Sequence, residues 1–108
     1  MSFFIELLRK IWNVIKKFFV KVVNFAKHIK NFFKNTLRLN KLNKDKNTIA
    51  VAIKENLENG EYNIVTCLYD KEKEDITDLQ TDAMGIEAEE LDEETKQHFG
   101  NKDMIILN

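Results

Sequence analysis

The sequence predicts an α+β chain: one long basic amphipathic helix (residues 1–37), a basic polar linker (38–47), and a small acidic domain (48–108) made of an antiparallel β-sheet and a short helix. Three observations carry that expectation. Residues 3–36 contain no Gly and no Pro and repeat their apolar residues at helical spacing. Beyond residue 47 the apolar period changes to two, with Asn59-Gly60 between two apolar runs. The charge divides at the same place. Through Lys46, twelve basic residues face only Glu6 and Asp45, a net of +10, so the whole-chain net of -1 leaves -11 for the remainder. Such polarity points to an anionic partner for the first part, or to docking of one half on the other.

In the first element, Phe4, Leu8, Ile11, Ile15, Phe18, Val22, Phe25, Ile29 and Phe32 alternate by four and three, the spacing of a single helical seam. Leu7 and Val14 widen the seam on one side. Ile5, Trp12, Phe19, Ala26 and Phe33 widen it on the other, giving an apolar arc of roughly 160°. Lys10, Lys17, Asn24 and Asn31 form a column of the polar face, which Val20 and Val23 interrupt. A straight helix of this length is about 50 Å long. A domain of about 60 residues is only roughly 27 Å across. The stripe must therefore meet something outside its own chain, or the helix must break and fold back, with Asn24 as the weak point.

The next stretch, NTLRLNKLNKDKN, reads as a frayed helical end and then a linker, with Asn40, Asn43 and Asn47 as stops. A two-residue Asn59-Gly60 turn predicts a hairpin pairing Glu58 with Glu61, Ile53 with Thr66 and Val51 with Leu68. Ile49, Val51, Ile53, Leu57, Tyr62, Ile64 and Leu68 then share one face, and Ala50, Ala52, Val65, Cys67 and Tyr69 the other. The small residues of that second face admit a close helix. DKEKED reads as a charged loop, and AMGIEAEEL as a third strand. LDEETKQHFG reads as a short helix capped by Asp92 and stopped by Gly100, and MIILN as a closing strand.

Little here suggests catalysis. Cys67 is the only cysteine, so no intrachain disulfide forms and a reducing compartment is the default. Its neighbours make it a small apolar strand residue. His28 and His98 lie far apart without ligand-spaced partners, and the acids of EAEELDEE lack the spacing and central Gly of a calcium loop. No Ser-His-Asp arrangement, Cys-His pair or Gly-rich phosphate loop is present. The expected protein is therefore non-enzymatic, with no catalytic, cofactor or metal residues. The basic face attracts phosphates, but a chain with two Arg residues and an acidic remainder argues against nucleic acid as the partner.

The lysine-lined, Phe- and Trp-rich stripe fits a helix lying on an anionic membrane surface. Its apolar contacts would be Phe4, Leu8, Ile11, Trp12, Ile15, Phe18, Phe19, Val22, Phe25, Ile29, Phe32 and Phe33. Its cationic contacts would be Lys10, Lys16, Lys17, Lys21, Lys27, Lys30 and Lys34. The alternative is a protein seam, packing the helix into a homo-oligomer or a larger assembly such as a virion. Over residues 3–34 the composition, carried by RKIWNVIKKFF, resembles short cationic membrane-active peptides and leaderless bacteriocins. That resemblance implies a membrane target, with the acidic part as a shield. Charges interrupt every early apolar run, so neither a signal peptide nor a spanning helix is expected. The expected location is the cytoplasm, peripheral on the inner membrane face, or a virion. The abundance of Lys, Asn and Ile suggests a low-GC bacterium or its phage.

Overall fold

Asn13, Asn24 and Asn35 punctuate the stretch expected as one helix, and the chain changes structure around each. In the computed structural model, which describes residues 3–107, that stretch forms α1 (Phe3–Ile11), β1 (Lys16–Val23) and α2 (Phe25–Phe33). The single long helix is thus replaced by two helices of nine residues with a strand between them. The cause lies in Val14, Ile15, Phe18, Phe19, Val20, Val22 and Val23. These β-branched and aromatic side chains suit a pleated ladder better than a helix surface. Asn24 then takes an extended backbone, and its side-chain oxygen accepts the Lys27 N–H at 3.1 Å to start α2. Asn35 repeats the device, accepting the Leu37 N–H at 2.9 Å to start α3 (Thr36–Lys44). Most of the expected linker is therefore helical.

The remaining elements are β2 (Thr48–Asn56), β3 (Tyr62–Asp70), β4 (Asp75–Ile76), β5 (Ala83–Leu91), α4 (Glu93–Phe99) and β6 (Met104–Ile106). They form a six-stranded sheet in the order β1-β5-β3-β2-β6, with β4 paired to β3. The sheet is mixed rather than antiparallel throughout, because β1 runs parallel to β5. β1 and β2 consequently point the same way, and α2 and α3 cross the sheet to join them.

The hairpin turns where the sequence places it, but with a longer loop. The Leu57 N–H reaches the Glu61 carbonyl at 2.9 Å, and the Gly60 N–H reaches the Leu57 carbonyl at 3.0 Å. Of the two turn residues, only Gly60 has a positive φ, 87°. A three-residue loop of this kind pairs Ile53 with Val65 and Val51 with Cys67, one residue away from the expected register. The slip exchanges the face of every β3 side chain. Val65, Cys67 and Tyr69 thus join Ile49, Val51 and Ile53, while Ile64 and Leu68 lie on the side of Ala50 and Ala52.

Each face is covered by pieces of the former stripe. On one side Ile5, Leu8 and Ile11 of α1 pack on Val51, Ile53, Val65 and Cys67, and Phe4 meets Tyr69 edge-on at 5.4 Å. On the other, Phe25 of α2 and Phe99 of α4 pack with Ala52, and Phe32 with Ala50 and Leu68. Trp12 and Ile15 close over Gly85, where an added methyl would stand 3.0 and 3.1 Å from them. α3 is held by buried Arg38. Its guanidinium donates to the carbonyls of Phe32 and Thr81 and lies 4.3 Å over the Phe32 ring. Lys41 adds an ion pair to buried Asp82 at 2.5 Å. The radius of gyration, 13.0 Å, is what compact packing gives a chain of this length, about 13 Å.

Candidate functional site

The fold divides the twelve apolar residues expected at an interface into three groups. Leu8, Ile11, Ile15, Phe25 and Phe32 are buried in the two cores. Phe4, Trp12, Ile29 and Phe33 are half-buried against those cores. Phe18, Phe19 and Val22 stay exposed, at 42%, 65% and 45%. All three lie on β1, an end strand of the sheet. What is left of the stripe is therefore a strand edge, not a helix face.

The seven lysines also part company. Lys10 lies on α1, whereas Lys27, Lys30 and Lys34 lie on or just beyond α2, across the sheet from it. Lys16, Lys17 and Lys21 stand on β1 beside the exposed apolar residues. Lys17 is partly committed: its ammonium donates to the Trp12 carbonyl at 2.7 Å and sits 5.6 Å from the Trp12 ring.

On the α2 side of β1 lies an open groove of about 400 Å³. Phe18, Val20 and Val22 form one wall, Lys27, His28 and Asn31 of α2 the other, and Met84 and Ile86 of β5 the floor; Phe19 also borders it. His28 is the groove's one buried polar side chain among the described residues, with Nε2 2.6 Å from Thr66 Oγ1 on β3. Burial pushes its imidazole down to about 4, so it is neutral near pH 7. Sequence reading gave His28 no role. Only its spacing of three and four residues from Phe25 and Phe32 hinted that it faces inward.

β1 combines features seldom left uncovered. It is eight residues long, largely apolar, and unpaired on its outer side among the described residues. An end strand presents unpaired N–H and C=O groups, a template for another strand. Lysines on such an edge have a bland role too, since they oppose indiscriminate pairing. Both roles favour an acidic partner strand over a basic one.

Other chemistry is sparse. Burial raises the Cys67 thiol to about 12, leaving it protonated and unreactive. His98 is exposed, 3.8 Å from Glu94 and stacked 4.8 Å from Phe25. Among the described residues, no group of three or more His, Cys, Asp or Glu side chains is placed to hold a metal, and no helix is long and apolar enough to cross a membrane.

Comparison with known proteins adds one short match. The TMP repeat matches residues 12–22 and 28–36. The first stretch runs from the turn after α1 along β1, and the second along α2 to the start of α3, so the two copies take different structures. No curated protein and no solved structure matches the chain.

Proposed function

We propose that this is a non-enzymatic interaction protein whose β1 edge receives an extended, acidic segment of a partner protein as an additional strand. The observation that carries the reading is the outer edge of β1, unpaired among the described residues, with Phe18, Phe19 and Val22 exposed beside Lys16, Lys17 and Lys21. Main-chain bonding along a strand edge gives affinity, and the flanking side chains give selectivity. Pairing of β1 with a second copy of itself forms no ion pair, because Lys16, Lys17 and Lys21 are the charged residues of the strand, whereas an acidic segment complements them. Such a module acts in the cytoplasm or inside a larger assembly such as a virion.

The test uses an acidic peptide about as long as β1 and its basic counterpart, followed by amide chemical shifts and fluorescence anisotropy. The acidic peptide should shift β1 amides, and the change Lys16→Glu with Lys21→Glu should weaken it about tenfold at unchanged melting temperature. Affinity should also fall as salt rises. Shifts away from β1, or indifference to the charge reversal, would remove the proposal. So would concentration-dependent dimers joined through β1.

A second reading keeps the anionic membrane as the target, now through the same edge rather than a helix. Phe19, 65% exposed and flanked by lysines, favours it. Flotation of the chain with anionic but not neutral vesicles, abolished by Phe19→Ser, would support this reading; no flotation would end it.

A further inference from the structure

β1 already has one strand beside it, and that strand shows what the side chains of β1 accept. Along β5, Ile86 and Ala88 stand next to Phe18 and Val20 on the α2 side, while Glu87 stands next to Phe19 on the α1 side. The pattern is apolar towards the groove; away from it stand Gly85 beside Lys17 and the acid Glu87 beside Phe19. Side chains of a strand project above and below the sheet, not sideways, so β1 offers the same residues to a strand on its outer edge. Lys17 marks the α1 side, since it packs near Gly85 and Trp12. Lys21 does not line the groove. Beyond Val20 and Ala88 the alternation shifts, and Val23 and Leu91 both turn into the α2-side core. The alternating stretch is thus confined to the first two-thirds of β1.

We infer that the partner segment is an alternating strand, with branched apolar side chains over the β1–α2 groove and Asp or Glu at every second position facing Lys17 and Phe19. The inference rests on the edge-pairing reading above and adds to it the partner's sequence pattern. The apolar positions cover Phe18, whose exposure on the groove side is otherwise uncompensated. The acidic positions repeat on the outer edge the place that Glu87 holds on the inner one.

Two peptides of equal composition, Glu and Val in alternation or in two separate blocks, distinguish the inference from its parent. Binding is read by anisotropy and by the amide shifts of β1 and α2. The alternating peptide should bind at least about tenfold tighter than the blocked one. Asn31→Trp, which fills the groove from the exposed side of α2, should reduce it to the level of the blocked peptide, with a thermal melt as the control for folding. Equal affinities overturn the alternation and leave edge pairing standing. An alternating peptide indifferent to Asn31→Trp also overturns it, since its apolar positions then do not enter the groove. If neither peptide binds, both readings fall.

Discussion

His28 is a buried side chain whose protonation bears on the stability of the fold. It is bonded to Thr66, and its folded pKa is depressed by desolvation from 6.5 to about 4. A neutral imidazole belongs to the native state, whereas the unfolded chain takes up a proton near the ordinary value. The stability tied to this difference is complete above about pH 6.5 and is lost as pH falls towards about 4. The shift corresponds to roughly 3 kcal/mol. Urea unfolding of the wild type and His28→Gln checks this. Between about pH 7.5 and pH 4 the wild type should lose on the order of 3 kcal/mol more than the variant. Parallel losses would mean that the imidazole takes up its proton equally in the folded and unfolded states. Beyond its helical spacing from Phe25 and Phe32, nothing in the sequence signalled this, because burial of a lone His depends on what packs above it. The inertness of Cys67 was legible, since its apolar neighbours already described a core strand residue.

At the scale of elements, the β2–β3 hairpin shows what local sequence decides and what it leaves open. Asn59-Gly60 located the turn correctly, yet the same dipeptide serves a two-residue loop, where both residues need positive φ, and a three-residue loop, where only Gly does. Of these two residues only Gly60 has positive φ in the folded chain, and Asn59 instead accepts the Glu61 N–H at 2.9 Å. Gly60→Ala meets no steric neighbour, so its cost is purely backbone strain, about 1 kcal/mol. Asn59→Ala should cost less, a few tenths to about 1 kcal/mol, for two exposed hydrogen bonds, one from the Glu61 N–H and one to the Glu61 carboxylate. Equal and larger losses at both positions, measured by chemical denaturation, would point back to the two-residue turn and its register. The same ambiguity explains the missing long helix. Four-three spacing of apolar residues was real, but Val20 and Val23 broke its polar face, and that breach marked a strand. They are half-buried and buried in β1 and its core. Asn24, the suspected weak point, is the cap that restarts the helix. The short helix from Glu93 to Phe99 was legible in full, because Asp92 and Gly100 are chemical signals rather than patterns.

At the scale of the molecule, the size argument held while its conclusion changed. An apolar stripe too long for a small domain does not remain outside it; it breaks, and its pieces cover both faces of the sheet. The charge asymmetry serves the same end. Arg9 reaches Glu55 at 2.5 Å and Lys41 reaches Asp82 at 2.5 Å, each joining the basic part to the acidic part. It follows that the acidic part should not stand alone. A fragment covering residues 47–108 loses α1, β1, α2 and α3 together. Val51, Ile53, Val65 and Cys67 would lose the cover of α1, and Ala50 and Leu68 that of Phe32. β5 would become a bare end strand. Burying one large apolar side chain contributes about 1.5–3 kcal/mol, and a small domain has only about 5–15 kcal/mol in all. Loss of several such contacts on both faces therefore exceeds what the remaining sheet can supply. Circular dichroism of the fragment should show no cooperative thermal transition, and its amide resonances should lack dispersion. A cooperative transition would mean that residues 47–108 fold by themselves and that the first 46 residues are an addition to that unit, not half of its core.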